Sequence, residues 1–214
     1  MLKSAIDHLV VTAGSRSAGA IYLAEILGVE PLKGGEHPQM GTHNALVRIG
    51  ESAYIEAIAV NPAAPMPSRP RWFGLDQQGE GAEPRLATWV VRTTDIQRAL
   101  AISRLPLGSI ERMKRDSFEW RITVSLDGSM PLGGTAPSLI EWETPRHPTD
   151  VIPASGCELL GLRVRHPEAA TIATVLRDIG FDGPADLAVP LAGQAAGLLA
   201  TIQTPRGICE LGEP

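Results

Sequence analysis

Residues 6–14 read IDHLVVTAG, and the stretches LATWVVRTT at 86–94 and LLGLRVRHP at 159–167 share its run of β-branched and apolar residues. Each reads as a strand, and each is followed by an amphipathic helical stretch. After the first comes SRSAGAIYLAEILG, in which Ser15 or Ser17 can cap a helix that Gly28 ends. After the second comes TTDIQRALAISRL, and after the third PEAATIATVLRDIG, closed by Gly180. Every unit then runs on in extended segments with no second helix. In the first these are VEPLKGGEH, THNALVRIG and SAYIEAIAV, with a hairpin turn at Gly50 and Glu51. In the second they are SIERMKRD, FEWRITVSLDGS and SLIEWETPR, and in the shorter third DLAVPLAG, GLLATIQT and GICELG. The shared order, β-α-β-β-β, is present twice in full and a third time in short form, which predicts an α+β fold of repeated modules.

The totals agree with such a body and exclude other classes. A chain of 214 residues with 43% hydrophobic content can bury a core of ordinary size. Its 19 basic residues are scattered singly and outnumbered by 24 acids, so no basic face is available for nucleic acid. No apolar stretch reaches the roughly 18 residues a spanning helix needs, and the N-terminus has no signal-peptide layout, so a cytoplasmic protein without membrane contact is expected. Cys157 and Cys209 form neither a CxxC pair nor a disulfide framework and read as reduced and buried. Nucleotide loops and nucleophile elbows are missing: there is no GxGxxG, GxxxxGK or GxSxG.

Two features ask for a chemical reason. The last strand of every unit carries a glutamate among apolar residues, Glu56, Glu141 and Glu210, and an unpaired buried carboxylate is expensive. Two of the five histidines, His37 and His43, fall in GEHPQMGTHN at 35–44, where glycines allow a tight turn ahead of an apolar run. The long connector at 61–84, NPAAPMPSRPRWFGLDQQGEGAEP, holds Trp72 and Phe73, whose burial predicts a loop folded back onto the body.

The βαβββ repeat, opened by IDHLVV and closed by YIEAI, resembles the vicinal oxygen chelate superfamily of glyoxalase I, extradiol dioxygenases and bleomycin-resistance proteins. More narrowly, GEHPQMGTHNALVRIGESAYIEAIAVNP, RPRWFGLD and GTAPSLIEWETPRHP are similar to the glyoxalase-like domain family, over nearly the whole chain. The resemblance implies paired modules whose curved mixed β-sheets form a cup-shaped cavity, with ligands for a divalent metal on the first and fourth strands. Here those strands offer His8 and Glu56, and alternation adds His43 from the third strand. A Zn, Fe, Mn or Ni ion with an open position would suit this set. Glu141 would be a fourth ligand or general base, and His37, Met40, Trp72 and Phe73 would meet the substrate. Modules 1–62 and 84–148, joined by loop 61–85, would pair within residues 1–150, and residues 155–214 would form the third, shortened module.

Repeat alignment also sets Thr88 opposite His8, and threonine is a poor ligand. Two functions are therefore open: a metal-dependent lyase, isomerase or oxygenase acting on a vicinally oxygenated metabolite, and a metal-free small-molecule binder with the same fold. Structural roles stay open as well, His8 as a core histidine bonded to backbone, His43 as a brace of its turn, Glu56 and Glu141 as partners of Arg48, Arg71 or Arg121. His147 and His166, each before a proline, read as turn residues. The third unit could cover an open sheet or pair with a second chain in a homodimer.

Overall fold

The computed structural model describes residues 1–213. Strand β1 (Ser4–Thr12) leads into α1 (Arg16–Leu27), then β2 (Leu32–His37), β3 (Thr42–Arg48) and β4 (Tyr54–Val60). A 3-10 segment (Trp72–Gln77) precedes β5 (Arg85–Thr93), α2 (Ile96–Ile102), β6 (Ser109–Arg115), β7 (Phe118–Val124) and β8 (Ser138–Trp142). The third unit comprises β9 (Glu158–Arg165), α3 (Ala169–Asp178), β10 (Ala185–Ala188), β11 (Gly197–Thr204) and β12 (Gly207–Gly212). Local signals set these boundaries. The Ser15 hydroxyl accepts from Ala18 N at the start of α1, and Gly28 ends it at φ 69°. Asp95 caps α2 in the same way, through Arg98 N.

The first eight strands make one sheet in the order β2-β3-β4-β1-β5-β8-β7-β6. In both units the first strand pairs parallel with the fourth, and the two first strands, β1 and β5, pair antiparallel at the seam. The sheet curls until its far edges meet, where Arg115 Nη1 on β6 donates to His37 Nε2 on β2 at 3.0 Å. Its concave side is the cup. The third unit follows the same element order but pairs differently: its four strands run β10-β9-β11-β12, so its last strand lies at an edge and not beside β9.

That second sheet lies against the convex side of the first. Leu162, Val164, Ala200 and Ile202 join one apolar cluster with Leu9, Val11, Trp89 and Val91. Trp89 is fully buried there, its Nε1 donating to Thr135 O at 2.9 Å and its ring edge-on to Phe181 at 5.8 Å. The extra unit thus removes from water the outward face of the seam, which two modules alone would leave open. No helix among the described residues is long and apolar enough to cross a membrane.

Candidate functional site

An irregularity in β1 builds the site. Ile6 pairs with Val91 while His8 pairs with Val90, so Asp7 is an extra residue on its strand, a β-bulge. Strict alternation would set Ile6, His8 and Val10 on one face and Asp7 on the other. Instead Ile6 belongs to the convex core, Val10 to the concave one, and Asp7 turns with His8 toward the concave side. Across the parallel pairing, His8 aligns with Tyr54 and Val10 with Glu56, which brings Tyr54 and Glu56 into the same cup.

Asp7 is fully buried and takes three hydrogen bonds. His8 Nδ1 lies 2.7 Å from Oδ1, while Trp142 Nε1 at 2.9 Å and His147 Nε2 at 3.1 Å converge on Oδ2. Burial alone would raise this carboxyl, but the hydrogen bonds and charges of His147 and His8 outweigh it and hold Asp7 well below the usual carboxylate range. His147 takes Thr149 N–H on Nδ1, so its Nε2 is the donor to Asp7. His8, held at Nδ1, aims Nε2 toward Glu56 Oε2 at 3.6 Å, and its ring stacks on Tyr54 at 4.7 Å. Burial, with Asp7 and Glu56 close by, pushes the Tyr54 phenol well above its ordinary value.

Glu56 is fixed from its other side. Asn44 Nδ2 donates to Oε1, and Gly35 N donates to Asn44 Oδ1 at 2.8 Å, which sets the amide's orientation. A Cβ on Gly34 would lie 1.9 Å from that Asn44 oxygen, so the first glycine of the pair makes room for the brace. His37 Nδ1 bonds Thr42 Oγ1 at 3.1 Å while Nε2 accepts from the always-charged Arg115. Burial first, then the Arg115 charge, lowers the His37 pKa well below its usual value and keeps the ring neutral.

The opposite wall is aromatic and aliphatic: Trp120, Trp142, Ile122 and Ile140 from the second module, with Trp72 and Phe73 closing the top. Trp72 and Phe73 stack at 5.4 Å, and Phe73 sits at φ 57°, a left-handed conformation costing roughly 1 kcal/mol or more outside glycine. Between these walls about 20 Å³ stays free, room for about one water molecule, so any larger ligand must displace side chains that line the cup.

Several expected site residues lie elsewhere. The β3 register pairs Leu46 with Glu56, so Asn44 and Leu46 share the Glu56 face and His43 lies on the other. His43 lines a separate cavity of about 660 Å³ beside Arg16 and Lys33. Glu141, adjacent to the cup-lining Ile140 and Trp142, also points away: Oε2 accepts Ile96 N at 2.7 Å and Oε1 accepts Arg121 Nη2 at 2.8 Å. It thus satisfies the start of α2 and lies outside the cup lining. Glu141→Gln should leave activity within about twofold and cost roughly 1–2 kcal/mol of stability in urea unfolding. Met40 is fully buried behind the cup, in the cluster of Val10, Ile58 and Trp72. His8, His37, Glu56, Trp72 and Phe73 do converge.

A divalent ion bound through nitrogen and oxygen at about 2.0–2.2 Å spaces its ligand atoms roughly 3–3.5 Å apart. His8 Nε2 and Glu56 Oε2, at 3.6 Å, come close to that. His37 Nε2 lies 4.0 Å from Glu56 Oε1, but its lone pair is taken by Arg115. The second module adds no donor of a metal-binding type, and among the described residues no group of three or more His, Cys, Asp or Glu side chains could hold an ion. The donor set stops at two and does not fit a tightly held resident metal.

Two βαβββ modules joined through their first strands, with polar groups of strands one and four inside the curl, define a vicinal oxygen chelate fold. The chain belongs to the glyoxalase-like domain family, whose sequence profile matches residues 6–180. A comparison with curated proteins finds no match. Among solved structures, a hypothetical protein from Staphylococcus aureus is similar at TM-score 0.57 and 16% identity, over 92% of this chain and 88% of that one. Methylmalonyl-CoA epimerase from Mycobacterium tuberculosis follows at TM-score 0.42 and 17% identity, over 66% and 88%. A single-substitution variant of Streptomyces coelicolor methylmalonyl-CoA epimerase, in complex with 2-nitronate-propionyl-CoA, has TM-score 0.44 and 13% identity, over 65% and 97%. At such identities the likeness is one of fold alone.

Proposed function

We propose that this chain is a small-molecule enzyme of the glyoxalase-like kind that moves a proton on a substrate in the cup, as an isomerase or lyase. Glu56 is the general base, and His8, positioned by Asp7, is the proton partner. The observation that carries this reading is the line Asp7–His8–Glu56, with Nδ1 of His8 held at 2.7 Å and Nε2 facing the Glu56 carboxylate at 3.6 Å. A proton on His8 Nε2 would point into the same space as the Glu56 carboxylate, so the pair offers a donor and a base side by side. A C–H acid beside a carbonyl then loses its proton to Glu56 Oε2, and the carbonyl oxygen takes the proton from His8 Nε2 as charge develops on it. Return of the proton to the carbon completes an isomerisation, and loss of a neighbouring leaving group completes elimination. The buried Asp7 carboxylate stabilises the imidazole while it is charged, before it gives its proton to the carbonyl oxygen and again once that proton returns.

Many proteins of this fold employ divalent metals. Such an ion would find His8 Nε2 and Glu56 as its ligands and nothing further from the chain, so each proton is routed here through the chain's own groups. The aromatic wall of Trp72, Phe73, Trp120 and Trp142 favours a second reading, a carrier that binds an apolar small molecule without transforming it. Incubating the protein in D₂O with 2-oxo aldehydes, 2-oxo acids and 2-hydroxy acids separates the two. The enzyme reading expects deuterium at the carbon next to the carbonyl or hydroxyl of at least one compound. Saturable binding with no exchange on any compound would replace it with the carrier.

A further inference from the structure

We infer that the substrate of this cup is a small monocarboxylate, anchored by the Arg115 guanidinium; the inference rests on reading the cup as the substrate site. Arg115, at the end of β6, crosses from the far edge of the curled sheet to line the cup, with its Cζ 5.9 Å from the Phe118 ring centre. Its one hydrogen bond among the described residues goes to neutral His37. Arg69, Arg71, Arg112 and Arg121 each meet a carboxylate, whereas Arg115 meets none among the described residues. A partly buried guanidinium with most of its N–H groups unused is a ready partner for an anion.

Two independent observations indicate that this position is built for it. A Cβ added to Gly35 would lie 2.4 Å from Arg115 Cδ and 2.8 Å from Nε. The backbone of Gly35 is not left-handed, so it is the missing side chain that leaves room for the arginine where it lies. Trp72 also lines the cup, is only 4% exposed, and buries its indole N–H with no partner among the described residues. A buried donor without an acceptor needs one, and a ligand oxygen would supply it.

Charge selects among anions. Asp7 and Glu56 already bring negative charge into the site and Arg115 is the one guanidinium lining it, so a ligand with a single negative charge is favoured over a dianion. A planar carboxylate matches the paired N–H groups of a guanidinium, while a phosphate dianion would bring a second charge that nothing in the cup offsets.

Trp72, Trp120 and Trp142 make the cup its own reporter. Intrinsic fluorescence is followed while wild-type protein is titrated with lactate and pyruvate, with lactamide as the neutral match to lactate and with inorganic phosphate. Saturable changes are expected with the carboxylates, with affinity for lactamide weaker by roughly 10- to 100-fold, the value of hydrogen bonds to one charged group. Arg115→Ala should lose a similar factor, Arg115→Lys less, and Gly35→Ala should weaken binding with the arginine still present. Equal affinity for lactate and lactamide in the wild type, tighter binding of phosphate, no response to either carboxylate, or unchanged affinity in Arg115→Ala would each overturn the inference. Glu56→Gln keeps the anchor, so carboxylate binding should survive in it. Arg115-dependent binding without proton exchange would sink the proposed reaction and leave this inference standing; exchange confined to neutral substrates would do the reverse.

Discussion

Glu56→Gln is expected to lower turnover, measured as deuterium uptake by a substrate, by about 10²- to 10⁴-fold, the usual contribution of one positioned general base. The amide keeps the size of the side chain and an oxygen for Asn44 Nδ2, so its melting temperature should stay within a few degrees of wild type. Because the base acts in the transition state, the loss should fall on kcat and leave KM nearly unchanged. A variant that loses binding and turnover together would mean that Glu56 holds the substrate and does not deprotonate it. Asn44→Ala should lie between, since it frees the carboxylate to rotate without removing it.

Asp7→Asn is expected to affect both stability and rate. An asparagine oxygen can still accept from Trp142 and His147, but its NH₂ then faces His8 Nδ1 and forces the ring into the other tautomer. Nε2 is then the donor of a neutral ring, a far weaker acid than an imidazolium stabilised by the Asp7 carboxylate, and turnover should fall by about 10²- to 10⁴-fold in protein that still folds. Losing a buried charged acceptor should cost about 1.5–3 kcal/mol, roughly 5–10 °C in melting temperature for a chain of this size.

The same group shapes the acid limb of stability. The Asp7 carboxyl is held below its unfolded value, so its contribution is complete above about pH 4 and is lost as the pH falls from there. His37 adds a higher step: folding lowers its pKa, the unfolded chain binds more protons, and stability declines as the pH drops below about 6.5. Melting temperature against pH should thus fall in two stages. Asp7→Asn should shrink the lower stage, to which Asp76 also contributes, and His37→Gln the upper, to which His43 also contributes.

Much of the fold was legible because its signals are local. Three β-branched runs, each followed by a helix, mark the modules, with side-chain caps at Ser15 and Asp95 and glycines after the first and third helices, and the parallel pairing of β1 with β4 and β5 with β8 is shared by both full units. The third unit kept the pattern but not the pairing, since strand order depends on which edges are free and not on composition. Within the site, His8 and Glu56 came from the family resemblance, which points to the first and fourth strands, and both line the cup. Asp7 was hidden because a single inserted residue reverses the phase, and a bulge leaves no mark in an apolar strand. Asn44, and not His43, shares the Glu56 face for a related reason. Both are polar neighbours at the start of β3, and only the turn at 38–41 decides which faces Glu56. Arg115 was out of reach because it comes from the far edge of the sheet, although Gly34-Gly35 recorded in sequence the space it needs.

The central claim is that proton transfer in the cup belongs to Asp7, His8 and Glu56 themselves. Its most direct measurement is deuterium uptake by a bound 2-hydroxy or 2-oxo acid, catalysed by protein dialysed exhaustively against chelator. Exchange that continues at the untreated rate and disappears in Glu56→Gln is the predicted result; exchange that stops on chelation and returns on adding a divalent ion would contradict it.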